Sequence, residues 1–388
     1  MDPKSIRLGG SLEVPSVQEL AREQLGTVPP RYVRPVQDHP IISDNSSLPQ
    51  VPIIDLQSLL SGDSKDLELE KLHRACKEWS FFQLINHEVS SSLVDKLKIE
   101  IQEFFKLPVE EKKKFGQEPG DIEGFGQAFV VSEEQKLDWA DMFYIVTLPT
   151  YLRKPQLLPK FPAPFSPWLE NQPLKVSFVT HSLPAGRSIT TLRDTMEAHS
   201  IEVKNLAMNI LTFIAKALKM EVGDTRVLFE EGMQGMRINY YPPCPQPESV
   251  IGLTPHSDSG GLTILLQVSE IEGLQIKKDG IWIPVVPLPN AFTVNIGDIL
   301  EIVTNGIYRS IEHRAVVNSK KERLSIAAFL SPKLDGDLGP APSLINEQTP
   351  ALFKRIGVAD FFRGYYSRKL EGKSYLDIMR IEKDGQKY

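Results

Sequence analysis

The sequence predicts an α+β protein with a mainly β core, because its texture changes at about Met236. Downstream, short β-branched runs alternate with turn signals, as in "QIKKDGIWIPV", where Asp279-Gly280 between two apolar runs reads as a hairpin. Such a series fits an antiparallel sandwich or barrel. Upstream, and again in the tail from Pro350, apolar residues recur at helical spacing and predict the helices that cover the sheet. Of the 388 residues, 41% are hydrophobic, 8% aromatic and 24% charged, so the chain can bury a sizeable core.

In chain order, "SVQELAREQL" reads as a short amphipathic piece and "VPPRYVRPVQDHP" as an extended arm. "VPIIDLQSLL" reads as a strand. Leu72, Ala75, Cys76 and Trp79 predict a helix over Asp66 to Trp79, followed by the β-rich run "FFQLIN". "SSSLVDKLKIEIQEFFK" begins with capping serines and carries Leu93, Leu97, Ile101 and Phe104 or Phe105 on one stripe; Pro108 separates it from a second short helix. A longer helix is expected from about Ile189 to Met220. The division is then residues 1–235 as a supporting region, 236–335 as the β core and 336–388 as a helical cover.

Charge and cysteine usage narrow the function classes. With 44 basic and 50 acidic residues, a formal charge of -6 and no basic cluster, nucleic acid and anionic membranes are not expected partners. Cys76 and Cys244 are too few for a disulfide framework or a thiolate metal site and suit a reducing compartment. No secretory or membrane-spanning segment stands out, so a cytoplasmic monomer is expected, and the sequon at Asn45 carries no consequence.

The chemistry-bearing stretch is "TPHSDSGGLTILLQ". Residues i and i+2 of a strand share a face, so His256 and Asp258 can offer an imidazole nitrogen and a carboxylate oxygen to one ion. An isolated H-x-D is also common strand decoration. His313, in "YRSIEHRAVV", is the histidine of the β-rich half that could complete the site. Two imidazoles and a carboxylate on one face are the ligand set of non-haem Fe(II) oxygenases, which leave positions open for co-substrate and dioxygen. Arg323 and Ser325, in "ERLSI", project together as a carboxylate-binding pair and imply an acidic co-substrate; Asn239 and Tyr241, in "RINYYPPCP", alternate on another strand and can bond its other end.

With "HSD", "EHRAVV", "ERLSI", "NYYPPCPQPE", "VPIIDL" and "EWSFFQLINH", nearly the entire chain resembles the plant 2-oxoglutarate and Fe(II)-dependent dioxygenases. The nearest branch is that of specialised metabolism, with its senescence-related and alkaloid O-demethylase-like members. The resemblance implies a distorted double-stranded β-helix (jelly roll) flanked by helices. It implies iron on His256, Asp258 and His313, and 2-oxoglutarate on Arg323 and Ser325 beside Tyr241 and Asn239. Oxidation of a small-molecule substrate by dioxygen follows, with ascorbate as reductant in vitro. Hydroxylation or O-demethylation of an alkaloid, flavonoid, coumarin or similar metabolite is the expected outcome.

Phe329 continues the face of Arg323, Ser325 and Ala327 and matches a position lining the substrate pocket in relatives; Phe125 and Phe143 are candidates for closing that pocket, or for plain core. His39, His73, His87, His181 and His199 lack a partner pattern. The chain departs from the family in about 25 residues near 166–191, read as a surface insertion remote from the metal, and in Ser80 and Glu88, which replace usual glycines. If Glu88 has positive φ, the cost is about 1 kcal/mol or more. The alternatives are an ascorbate-dependent oxidase of the ethylene-forming type and a non-catalytic small-molecule-binding β-sandwich.

Overall fold

A computed structural model describes residues 9–23, 26–35, 49–61, 64–159 and 191–381. The insertion near 166–191, His39 and His181 therefore lie, apart from residue 191, outside the described residues. Twelve strands build the two sheets that matter to the site: β1 (Ile53–Asp55), β2 (Phe81–Ile85), β3 (Gly124–Gly126), β4 (Asp141–Leu148), β5 (Gln234–Tyr241), β6 (Leu253–His256), β7 (Leu262–Gln267), β8 (Leu274–Lys278), β9 (Ile281–Pro284), β10 (Phe292–Ile296), β11 (His313–Ala315) and β12 (Arg323–Leu330). Eight form one sheet in the order β1-β2-β10-β7-β12-β5-β4-β3, and four form a second in the order β6-β11-β8-β9.

Strand alternation sorts the large sheet into two faces. Met236 and Ile238 of β5, Leu324, Ile326 and Ala328 of β12, and Leu262, Ile264 and Leu266 of β7 join the main apolar core. That core is completed by the helix Leu192–Leu218, whose start is fixed by a reciprocal Thr191–Asp194 capping box. The intervening residues, Gly235, Arg237, Asn239 and Tyr241 on β5 and Arg323, Ser325, Ala327 and Phe329 on β12, face a cavity whose far wall comes from β6, β8 and β11 of the small sheet. This is the helix-flanked jelly roll that the resemblance implies.

Local chemistry explains most boundaries. The β8–β9 hairpin turns through Asp279 (φ 51°) and Gly280 (φ 80°), the two left-handed positions of a type I′ turn. Ser90 caps the helix Ser91–Lys106 by accepting from Leu93 N–H. "VPIIDLQSLL" is only half a strand: the Asp55 side chain accepts from Gln57 and Ser58 N–H and starts a helix at Leu56–Leu60. The helix expected to reach Trp79 is α-helical over Lys65–Arg74 and ends in a π turn, Ala75–Trp79.

Both departures from glycine sit at positive φ, Ser80 at 59° and Glu88 at 62°. Buried Ser80 offsets its strain by donating its hydroxyl to the Arg309 carbonyl, whereas Glu88 is exposed. Cys76 and Cys244 are buried free thiols. Among the described residues, no helix is long and apolar enough to cross a membrane.

Candidate active site

His256 ends β6, Asp258 follows two residues later, and His313 opens β11, directly opposite His256 in the antiparallel register. The pairing brings the imidazole centroids to 4.3 Å, and Asp258 Oδ1 lies 3.5 Å from His256 Nε2 and 3.6 Å from His313 Nε2. One donor atom from each falls within 4.8 Å of the others, and among the described residues this is the one His/Cys/Asp/Glu group of three able to hold a metal ion. The arrangement joins residues that the chain separates widely.

Hydrogen bonds aim two of the three donors, whereas His313 Nδ1 is buried without a partner. His256 Nδ1 lies 2.8 Å from the Thr254 carbonyl, which only accepts, so the proton sits on Nδ1 and the Nε2 lone pair faces the site. The other oxygen of Asp258, Oδ2, accepts from Thr263 Oγ1 at 2.6 Å and Asn295 Nδ2 at 2.8 Å, which leaves Oδ1 for the shared position. Burial opposes ionisation of Asp258, but the His313 and His256 rings and the Thr263 hydroxyl outweigh it and hold the carboxyl well below the usual range. Burial, reinforced by His256, pushes His313 down to about 4, so its ring is neutral and able to donate a lone pair. The donor set, two imidazoles and one carboxylate, thus fits a divalent iron.

Arg323 and Ser325 occupy the same cavity at the other end of β12, opposite Tyr241 and Asn239 of β5. Arg323 is 3% exposed and pairs with no carboxylate among the described residues. Its guanidinium donates to Gln267 Oε1 at 3.0 Å and lies 5.2 Å from the Tyr241 ring centroid, while its Nε and the nearby Asn239 Oδ1 have no hydrogen-bond partner. An isolated buried cation is costly, so this end of the cavity is built for an anion with oxygens to share. A dicarboxylate co-substrate reaching from the metal cluster to Arg323 satisfies that requirement.

The cavity, about 1180 Å³ counted out to its mouth, continues past the cluster to Phe129, Tyr144, Phe329, Tyr365 and Tyr366. Phe329 lines it, but Phe125 and Phe143 do not. The two are direct register partners across β3 and β4, so they share a face, and that face meets the helices. Phe143 is stacked on Phe104 at 5.2 Å; Phe125 packs edge-on to the same ring. On β4 the cavity-facing residues are Met142 and Tyr144 instead.

Thr263, Asn295, Gln267 and the aromatic wall escaped the sequence reading. The available signal was a polar residue inside an apolar strand, as in "GLTILLQ" and "FTVNI". Of the remaining described histidines, His73 bonds Tyr308 through Nδ1 at 2.7 Å and His87 accepts from Val89 N–H. His199 is buried with neither ring nitrogen hydrogen-bonded.

Comparison with known proteins gives the family. Residues 232–332 match the 2OG-Fe(II) oxygenase superfamily, and residues 51–162 match the non-haem dioxygenase in morphine synthesis N-terminal family. The chain is 55% identical over 382 residues to oxoglutarate-dependent flavonoid 7-O-demethylase 1 of Ocimum basilicum, covering 98% of this chain and 94% of that one. It is 50% identical to codeine O-demethylase of Papaver somniferum, covering 98% of this chain and 99% of the relative. The crystal structure of JOX2 in complex with 2OG, Fe and JA superposes with a TM-score of 0.82 at 32% identity, covering 96% of this chain and 99% of that one.

Proposed function

Because the chain belongs to the 2OG-Fe(II) oxygenase superfamily, in its plant specialised-metabolism branch, we propose that this oxidoreductase removes a methyl group from an aromatic methyl ether. The observation that carries the reading is the buried Arg323, uncompensated by any carboxylate among the described residues, in one cavity with the His256, Asp258 and His313 donors.

In this reading His256 Nε2, Asp258 Oδ1 and His313 Nε2 hold Fe(II), and Arg323 and Ser325 take the distal carboxylate of 2-oxoglutarate, with Asn239 and Tyr241 lining its path. When bound, iron and 2-oxoglutarate supply the activation of dioxygen that oxidises a nearby C–H bond. The chain's own contribution is placement. Thr263 and Asn295 keep Asp258 from turning, and the walls at Phe81, Leu253, Leu265 and Leu274 exclude water beside the donors.

Aromatic residues at the far end of the cavity hold the substrate so that its methyl group faces the cluster. The balance is aryl methyl ether, dioxygen and 2-oxoglutarate giving phenol, formaldehyde, succinate and carbon dioxide. The oxidised methyl carbon is a hemiacetal that loses formaldehyde. The same pose on a ring or aliphatic carbon gives hydroxylation. The chain is read as a cytoplasmic monomer acting on small molecules, a reading supported by its mixed charge and free buried thiols.

The test is aerobic turnover of 7-methoxyflavone with Fe(II), ascorbate and 2-oxoglutarate, followed by mass and by succinate release. A loss of 14 mass units with one succinate per product is expected. Oxidation that consumes ascorbate without succinate would select the ethylene-forming type of chemistry, and failure to bind Fe(II) would select a non-catalytic binder.

A further inference from the structure

One charge in the cavity is explained neither by the donor cluster nor by the dicarboxylate end. Arg237 lies on β5, opposite Ala327 of β12 and Tyr144 of β4, and faces the cavity two residues before Asn239. Its Nε is buried without a hydrogen-bond partner, and the guanidinium has no ion pair among the described residues. The other two arginines of the lining differ: Arg314 donates to Gln275 and lies 4.1 Å over the Trp282 ring, and Arg323 donates to Gln267.

The acidic groups around it are engaged elsewhere: Asp138, in an adjoining pocket that Arg237 also lines, pairs with Arg34 at 2.6 Å. Among the described residues the one carboxylate in the lining is Asp258, which is committed to the imidazoles. Glu123, whose field reaches Tyr144, is paired with Lys154 at 3.1 Å. The hydroxyls of Tyr144, Tyr365 and Tyr366 stay protonated because burial raises all three. Gly235 makes room here, since a Cβ would overlap the Tyr144 hydroxyl.

The rest of this region is flat and aromatic. Phe129 is held at φ 62°, with its ring stacked on Tyr366 at 5.8 Å and edge-on to Tyr365 at 5.8 Å. Arg237 is half-buried and only its Nε is closed off from water, so a ligand that brings an acceptor oxygen can satisfy that nitrogen, while a ligand that brings a cation is repelled.

We propose that Arg237 is the specificity-determining residue of this cavity: it receives a carbonyl or phenolate oxygen of a planar aromatic ether, so neutral or acidic oxygenated aromatics are favoured over protonated amines. The proposal rests on the demethylase reading for the ether itself. It deepens that reading by placing flavonoid-like and coumarin-like compounds above amine alkaloids.

The experiment uses two probes with one ring system, one methoxy group and opposite charge: 7-methoxycoumarin-4-acetate and 4-aminomethyl-7-methoxycoumarin. Binding is measured by calorimetry to protein loaded with Mn(II) and 2-oxoglutarate under argon, so that no turnover intervenes. The acetate is expected to bind at least tenfold tighter than the amine, in the range of about ten- to a hundredfold that a charge-assisted hydrogen bond gives.

Arg237→Gln should bring the two within about threefold, and Arg237→Lys should restore part of the preference. The thermal midpoint and 2-oxoglutarate binding report that each variant is folded. Equal binding, preference for the amine, a preference that survives Arg237→Gln, or no binding of either probe would overturn the proposal. Selective binding followed by no demethylation in air would instead remove the demethylase reading and leave Arg237 in its role. Demethylation of both probes at equal kcat/KM would do the reverse.

Discussion

Removing the Thr263 hydroxyl tests how the protein aims its carboxylate. Thr263→Val keeps the side-chain shape at a buried position and deletes one of the two hydrogen bonds on Asp258 Oδ2, the 2.6 Å bond, leaving the 2.8 Å bond from Asn295. A hydrogen bond to a charged group contributes about 1.5–3 kcal/mol. Not all of that appears in metal affinity, because the bond is lost from the metal-free protein as well. Only the part that holds Oδ1 in place differs between the two states. Roughly half, about 0.75–1.5 kcal/mol, corresponds to metal binding weakened about four- to thirteenfold.

That magnitude overlaps the low end of the tenfold to hundredfold effects typical when a partner of a metal ligand is removed. The assay is anaerobic titration with Fe(II) or Mn(II), read by calorimetry, alongside kcat at saturating metal. The dissociation constant should rise while kcat at saturation stays within a few-fold. Adding Asn295→Leu should push the loss beyond a hundredfold, because Oδ2 would then be buried without a partner. Metal affinity within twofold of wild type for the double variant would refute the placement of Thr263 and Asn295 as supports of the site.

Arg323→Met should raise KM for 2-oxoglutarate about a hundredfold, since a bidentate charge-assisted contact goes, yet hold or raise the thermal midpoint of the metal-free protein, because an uncompensated buried charge goes with it; an unchanged KM would refute the carboxylate role. Phe143→Leu should cost about 1 kcal/mol of stability and leave KM for an aromatic substrate unchanged, whereas Phe329→Ala should move KM; denaturant unfolding and steady-state kinetics separate the two.

His199 is pushed down to about 4 by burial, chiefly, and by His87. Its folded value is below the unfolded one, so the stability it contributes is present above about 6.5 and is lost as pH falls towards 4. His199→Phe should therefore shrink the drop in thermal midpoint between pH 7 and pH 5, and an unchanged drop would refute it.

What could be read before folding were signals carried by spacing and residue chemistry. His256-x-Asp258 and Arg323-x-Ser325 are i,i+2 pairs, and any strand puts such a pair on one face. Asp279-Gly280 announces its own turn because both residues tolerate positive φ. The Ser80 and Glu88 departures were visible for the same reason: a local backbone requirement shows in the residue type. "VPIIDLQSLL" was misread because Asp55 is both the end of a strand and the cap of a helix, and only its bonds to Gln57 and Ser58 choose.

The sequence by itself determined which residues could be ligands, since imidazole, carboxylate and guanidinium chemistry belongs to the side chain and alternation belongs to the strand. Only the tertiary structure decided which strand faces the cavity in which phase. The register of β4 against β5 sets Met142 opposite Asn239 and Phe143 opposite Ile238, so Tyr144 enters the cavity and Phe143 enters the core. The same assembly placed Thr263 and Asn295 behind Asp258 and left Arg237 without a counter-charge among the described residues. The reason is physical: a partner, or the want of one, is a property of distances between segments far apart in the chain, and those distances exist only once the sheets have closed on each other.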